Sequence, residues 1–371
     1  MLNIGINETS TYGGYLLFAF AFAQFVFSPV IGNLSDWFGR RSVLLLSLLG
    51  FGIDYLILAF APNYTWFLIG RIIAGITGAS FTTASAYIAD ISTPETRSAN
   101  FGMVGAAFGL GFILGPLLGG ILATFGTKVP FYAAAALTFA NMTYGYFILP
   151  ESLQPENRRK FEFKRANPLG SLMQLSKHKQ LRFLFLAFIF LSLGSHAVQS
   201  TWNYFTMYRF GWSEAMVGYS LGLVGLLVAF VQAYLAQKSA YFLGLERSIV
   251  IGFGLYTLGM FLFAVATQTW MMFVFLIPYC FGGIAMPNIQ SYMAGHVAPN
   301  QQGELQGGLT SLMSLTTIIG PLVMTNVFYY FTTDQAPFYF PGAAFFVGGL
   351  MMASSMLITW KVLLSGGAKN Q

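Results

Sequence analysis

The 371-residue chain predicts an all-α integral membrane protein built as two pseudo-symmetric helical bundles, and three observations carry that expectation. The chain is 56% hydrophobic and only 8% charged, whereas soluble domains carry about 25% charged residues. Its apolar residues fall in unbroken runs of about 20, the length a helix needs to cross a bilayer. Its lysines and arginines crowd into alternate loops. So few charges cannot coat a water-facing surface of this size. The long runs argue against a β-barrel, whose strands alternate over about ten residues.

Eleven runs read as spans, at 14–33, 42–61, 65–90, 98–124, 129–149, 182–208, 214–238, 248–267, 270–293, 303–331 and 338–360. Arg40, Arg41, Arg97, Lys238, Arg247, Lys361 and Lys369 fall in alternate loops or the tail. Arg158, Arg159, Lys160, Lys164, Arg165, Lys177, Lys179 and Arg182 fill one long loop on that same side. Only Lys128 and Arg209 lie in the opposite loops, and Arg71 lies within a span. The crowded side is therefore cytoplasmic, with the first residue outside and the last inside. The net charge of +6 becomes a topology signal rather than a nucleic-acid surface. The expected partners are the lipid bilayer, a small-molecule substrate and protons, with no nucleic acid, and the expected oligomeric state is a monomer. The single cysteine, Cys280, lies in an apolar run and reads as a packing residue.

The basic segment 150–181 divides an N-terminal bundle of five spans, 1–149, from a C-terminal bundle of six, 182–371. The halves repeat. Pro94 aligns with Pro299, Phe101-Gly102 with Gln306-Gly307, and Gly115-Pro116-Leu117 with Gly320-Pro321-Leu322, each offset by 205 residues. Internal repetition of this kind is common in secondary transporters. The first half is one helix short of the second, so a leading span, the first of twelve, is expected to be missing from this chain.

Ionisable groups inside spans are costly, so each is a functional candidate. Asp54 and Arg71 lie on successive spans joined by the tight turn Ala61-Pro62-Asn63-Tyr64. Helical rise puts both roughly 10 Å below the outer surface. A pair is geometrically possible, either coupling proton or substrate movement or statically locking two helices. His196, mid-span, reads as a proton-handling imidazole or as a neutral group bonded to a neighbouring helix. Asp90, at the inner end of its span, is accounted for by solvation. Gln24, Asn141, Gln199, Asn203, Gln232, Asn288, Gln290 and Asn326 interrupt apolar runs, some as cavity lining and others as interhelical bonds. Trp202, close to Gln199 and Asn203, reads as a stacking surface for a ring-bearing substrate or as a packing residue. No Ser-His pair, HExxH run or Walker loop stands at useful spacing, so neither an enzyme nor an ATP-driven pump is expected, and no cofactor or metal site.

Between the first two spans stands Gly32-Asn-Leu-Ser-Asp36-Trp-Phe-Gly39-Arg40-Arg41. Gly39 permits a tight turn, and Asp36 sets a negative charge at a helix end beside two cations. Such a group can hold a neighbouring helix terminus in one state and release it in another. The stretch resembles the G-x-x-x-D-x-x-G-R-R loop signature of the major facilitator superfamily. Arg71-Ile-Ile-Ala-Gly75-Ile-Thr-Gly78-Ala79 resembles a second signature of that family. Gly111-Phe-Ile-Leu-Gly115-Pro116-Leu-Leu-Gly119-Gly120 resembles the motif of its drug/proton antiporters. Glycines there let helices approach closely, while proline weakens the local ladder.

Asp36 through Gly50, Asp54-Tyr55-Leu56, Arg209-Phe-Gly-Trp212, Gly282 through Pro287 and the Gln301–Gly307 segment are similar to the bacterial tetracycline/proton antiporter branch. The resemblance implies a proton-driven antibiotic-resistance efflux protein of the bacterial cytoplasmic membrane. Its cargo would be an amphipathic drug, tetracycline as a metal chelate. It also implies Asp54 and Arg71 in coupling, Asp36, Gly39 and Arg40 in a cytoplasmic latch, and Gln24 and Trp202 on the substrate route. Three departures stand against a full carry-over. The family's first-span aspartate lies in the helix missing here. An in-membrane histidine and a carboxylate of later spans are replaced near Val228 and Thr257. The loop Lys238 to Arg247 keeps little of the Asp-Gly-Arg-Arg pattern, a loss common in the family. Export of an endogenous metabolite, and a non-transporting receptor or scaffold, remain alternatives.

Overall fold

The computed structural model describes residues 5–92, 97–158, 160–161, 181–296 and 302–365. Among them there are helices and connecting turns. Every one of the eleven expected runs is helical. Nine helical stretches are long and apolar enough to cross a membrane. The fourth and fifth runs fall outside that nine. The apolar part of the fourth is the shorter Gly109–Ala123, and the fifth carries Tyr132, Asn141, Tyr144 and Tyr146 within 20 residues.

The chain divides into two compact units, one of Tyr15–Pro168 and one joining Ile4–Gly14 to Leu169–Gln371. In the first unit lie the body of α1 (Ile6–Phe38), α2 (Arg40–Phe60), α3 (Tyr64–Gly78), α4 (Phe81–Asp90), α5 (Arg97–Ala123) and α6 (Val129–Ile148). Helix α1 begins eight residues before the expected span, through the polar stretch Ile6–Tyr12. The expected third span is two helices, because the α-helical ladder breaks at Ala79 and Ser80. At the break, the Gln24 amide donates to the Gly78 carbonyl at 3.0 Å. A Cβ on Gly75 would collide with the Phe20 carbonyl and stand 2.7 Å from the Ala23 Cβ. The glycine of the second motif therefore brings the backbones of α1 and α3 together.

The second unit holds α7 (Arg182–Phe210), α8 (Glu214–Phe230), α9 (Ala236–Leu243), α10 (Leu245–Ala264), α11 (Thr269–Phe281), α12 (Ala285–Gly295), α13 (Gln302–Phe331) and α14 (Ala343–Thr359). A π-turn at Val231–Leu235 joins α8 to α9, and a 3₁₀ turn at Gly282–Ile284 joins α11 to α12. That turn lies about 205 residues after the break at Gly78–Ser80, so the internal repeat extends to the broken helix. Leu184, Phe188, Trp202, Phe205, Phe253, Phe263, Phe328 and Phe345 form the core. Some of its polar atoms are paired and others, the Ser192 and Ser248 hydroxyls, are not. The Ser355 hydroxyl donates to the Ala187 carbonyl at 2.8 Å, and Ser213 caps α8 by accepting from the Met216 amide at 3.3 Å.

The α7–α14 crossing is a close approach within this core. A Cβ on Gly348 would lie 2.9 Å from the Ala197 Cβ, and one on Gly194 would lie 3.0 Å from the Gly348 carbonyl. Gly348→Val should therefore overpack the crossing and cost about 1–3 kcal/mol. Thermal unfolding in detergent checks this. An unchanged midpoint would show that the crossing has slack.

Candidate functional site

The turn between α1 and α2 is set by backbone geometry. Gly39 adopts φ 99°, a conformation that favours glycine. A Cβ there would also collide with Glu151 Oε2. That carboxylate approaches because α2 opens with unpartnered amides. The Arg40 amide donates to Glu151 Oε1 at 2.9 Å, and the Arg41 amide donates to Oε2 at 3.3 Å. The glycine thus serves twice, in the turn and in the space it leaves for an acid.

Arg40 is the hub of this corner. Its Nη1 meets Asp36 Oδ1 at 2.5 Å and donates to Ser35 Oγ at 2.6 Å, and its Nε meets Asp90 Oδ2 at 3.2 Å. Ser152 Oγ also donates to Asp90 Oδ2 at 3.0 Å. Asp90 is therefore part of the corner, not simply a solvated helix end. Arg41 leaves the hub and donates to the Tyr146 carbonyl at 2.6 Å. Gly32 sits one turn before Asp36 beside the Thr82 hydroxyl, 3.7 Å from where its Cβ would stand. Through its guanidinium and its backbone amide, Arg40 thus ties α1, α2, α4 and the segment after α6. Ser35, Asp90, Glu151 and Ser152 complete the motif without belonging to its pattern.

Deeper in the same unit, Asp54 of α2 and Arg71 of α3 form an ion pair through Asp54 Oδ2 and Arg71 Nη2. The Asp54 side chain is 1% exposed and that of Arg71 25%. Asp54 Oδ1 and Arg71 Nε have no hydrogen-bond partner. Gly70 makes the room, since a Cβ there would stand 2.7 Å from Asp54 Oδ1. A buried pair with spare donor and acceptor capacity is costly to hold as pure scaffold.

The second unit corrects one expectation. Trp202 is not free to stack on a substrate. It is 1% exposed, its indole N–H donates to Ser220 Oγ at 2.9 Å, and its ring packs edge-on against Phe263 at 5.2 Å. Its neighbours Gln199 and Asn203, four residues apart on α7, do point outward and are exposed. The Gln199 amide is steadied by donating to Ser195 Oγ at 3.2 Å. His196 is buried between α7 and α13, where a Cβ on Gly320 would lie 2.6 Å from its Cγ. Gln232 is exposed on the π-turn. Asn288 is buried and donates to Ser239 Oγ at 3.3 Å, an interhelical bond rather than a cavity wall. Gln290 donates to the Met286 sulfur at 3.8 Å.

The glycine-rich motif on α5 also differs from expectation. Among the described residues, a Cβ at Gly111, Gly115 or Gly119 would meet open space. These glycines, four residues apart, share one face of α5, and no helix of their own unit packs closely on it. Gly120 is buried, and Pro116 lies inside the helix.

Comparison with known proteins places these features. Residues 2–245 match the family described as the Major Facilitator Superfamily. The chain is 40% identical to the class C tetracycline resistance protein of Escherichia coli over 87% of this chain and 81% of that one. It is 34% identical to the class H tetracycline resistance protein of Pasteurella multocida, over 97% of this chain and 89% of the other. Among solved structures, the human organic anion transporter MFSD10 superposes with a TM-score of 0.68 at 27% identity, over 94% of this chain and 83% of that chain. A D-xylose–proton symporter superposes at 0.74 with 17% identity, over 97% and 89%, a likeness of fold.

Two variants test the corner. Gly39→Ala should lose about 1–3 kcal/mol from the backbone alone, before the collision with Glu151 is counted. Glu151→Gln should lose about 1.5–3 kcal/mol by weakening charge-assisted bonds. Because both act on one contact, the double variant should fall short of the sum. Full additivity in detergent unfolding would separate the glycine from the carboxylate.

Proposed function

The chain belongs to the major facilitator superfamily, and within that family of membrane transporters we propose that it exports an amphipathic drug, tetracycline, in exchange for protons by alternating access. The transporter assignment and the multi-pass membrane setting follow from the family. The cargo and the coupling are the proposal. Its support on the cargo side is the extended likeness to two bacterial tetracycline resistance proteins. We take the cargo to move as a metal chelate, with the metal part of the substrate, and the working unit to be a monomer.

The observation that carries the coupling is the Asp54–Arg71 pair. A charge at the middle of a membrane helix costs about 2.5–3.5 kcal/mol on insertion scales. Two such groups persist here in partial mutual compensation. Protonation of Asp54 would release Arg71 from its only ion-pair partner among the described residues. A proton shifts a conformational equilibrium only through different affinities in the two states. A carboxylate that is paired and buried in one state and wet in the other supplies that difference. His196, buried at the Gly320 crossing, is the second protonatable group of the proposal, and its role there is to couple α7 to α13. Gln199 and Asn203 are the polar face of α7 that would meet the cargo, and Gln232 a further exposed amide. Gln24 is spent in part on the Gly78 carbonyl and so serves the break in the third span.

Likeness to an organic anion transporter favours a second reading, export of an endogenous organic anion. Susceptibility profiling in a host lacking its own drug pumps separates the two. Tetracycline resistance conferred by the chain supports the drug reading, and its absence with export of organic anions supports the second.

Asp54→Asn should abolish tetracycline–proton exchange in proteoliposomes under an imposed pH gradient, while the variant still inserts and unfolds cooperatively. Full exchange by that variant would remove Asp54 from the coupling. Asp54→Ala should be the more damaging to stability, by about 3–5 kcal/mol, because it strands the arginine.

A further inference from the structure

The corner at Gly39 has a twin. Gly244 stands 205 residues later, the offset of the internal repeat, between α9 and α10. Gly39 has φ 99° and ψ 153°, and Gly244 has φ 80° and ψ 156°. The backbone turn is repeated, but the side chains are not. Asp36 becomes Tyr241, Arg40 becomes Leu245, and Asp90 becomes Gly295. In the first copy the opening amides of α2 hold a carboxylate. In the second, Gly244 gives α10 no side-chain cap, and the first paired amide is that of Ser248, to the Gly244 carbonyl at 3.1 Å. The amides of Leu245, Glu246 and Arg247 are left over by helix geometry.

Around this corner lies a cavity of about 390 Å³ lined by Gly244, Glu246, Arg247, Ser291, Tyr292 and His296 among others. Arg247 is exposed, and among the described residues it enters no ion pair. Ser248, on the same turn, is fully buried with an unpartnered hydroxyl. Tyr292 and His296 stack at 4.2 Å and form one wall. Immediately before the corner, Tyr241 and Phe242 are 82% and 71% exposed. Lys238 lies over the rings of Tyr234 and Phe242, at 5.1 and 5.8 Å. Exposed aromatics beside lysine at a helix end mark headgroup depth. The lysine and arginine count places this end at the cytoplasmic leaflet.

We propose that the Gly244 corner binds the phosphate of an anionic phospholipid headgroup of the cytoplasmic leaflet. The first copy of the repeat, where the same turn holds a carboxylate, shows what the geometry accepts. Arg247 supplies the countercharge, the first turn of α10 supplies amide donors, and Tyr241 and Phe242 seat the corner among headgroups. Glu246 also lines the cavity and opposes an anion, which gives the site a sign that can be tested in both directions.

The test is native mass spectrometry of the full chain released from nanodiscs of mixed phosphatidylcholine and phosphatidylglycerol. Wild type should retain phosphatidylglycerol. Arg247→Gln should retain about fivefold less, equivalent to about 1 kcal/mol for one cation near the surface. Glu246→Gln should retain more. Both side chains are exposed, so neither change disturbs the core. Arg182→Gln removes another exposed arginine from the same leaflet outside the cavity and should leave retention unchanged. Equal loss in Arg182→Gln and Arg247→Gln would overturn the proposal, showing diffuse attraction instead of a built site. So would retention indifferent to Arg247 and Glu246. Displacement of the lipid by inorganic phosphate alone would make this a free-phosphate site and would equally overturn the lipid assignment.

Discussion

Inside a bilayer a polar group has no water to fall back on, and that constraint shapes every part of this chain. Serines and threonines bond back to carbonyls of their own helices, as Thr206 does to Trp202 and Thr359 to Ser355. Where a helix breaks, a side chain from a neighbour meets the freed carbonyl, as Gln24 meets Gly78. Where a charge is buried, its counterion stands beside it, as with Asp54 and the half-buried Arg71. The ion pair is the costly case. Packing alone could be served by apolar residues of similar size, so the carboxylate and guanidinium are costly as scaffold alone. The unpartnered Asp54 Oδ1 and Arg71 Nε make the same point at atomic scale.

The fold was legible because hydropathy reports what lipid demands. All eleven runs are helical; α7 and α13 match their expected spans to within two residues, whereas α1 overruns its span by eight residues at the start and five at the end. The breaks in the third span and in its counterpart at Gly282–Ile284 were not legible. They interrupt hydrogen bonding without interrupting apolar character, and a hydropathy window senses only the second. The Asp54–Arg71 pair was within reach because a four-residue turn fixes the two helices as antiparallel neighbours. Glu151 was not, because it stands 111 residues from Arg40 and lies in a loop with no periodicity. The only hint was its place just after a span that ends on the same side as the Gly39 turn.

Trp202 shows how linear proximity misleads on a helix. Gln199 and Asn203 are four residues apart and share a face. Trp202 is next to Asn203 in sequence but about 100° away around the axis. That rotation carries its ring into the aromatic core with Phe263 and Phe345, where Ser220 satisfies its only donor. A polar neighbourhood in sequence was therefore two neighbourhoods in space. Gln24 and Asn288 make the companion case, since each amide is engaged with another helix and only its position in an apolar run suggested a cavity.

The two glycine corners bring these strands together. A left-handed glycine fixes the path of the chain by sterics alone, whatever side chains stand around it. The turn at Gly39 and the turn at Gly244 can therefore keep one geometry while their chemistry separates. At Gly39 the chain supplies its own acid, and Arg40 gathers Asp36, Asp90 and Ser35 into a closed set of contacts. At Gly244 the aspartate and the hub arginine are replaced, α10 opens without a side-chain cap, and a cavity with an unengaged arginine lies against the same turn. A corner that carries its own counterion is indifferent to the membrane around it. A corner that does not must draw its counterion from its surroundings, and at the cytoplasmic face of a bilayer the abundant anion is the lipid phosphate. The repeat thus gives one corner an internal counterion and leaves the other corner without one.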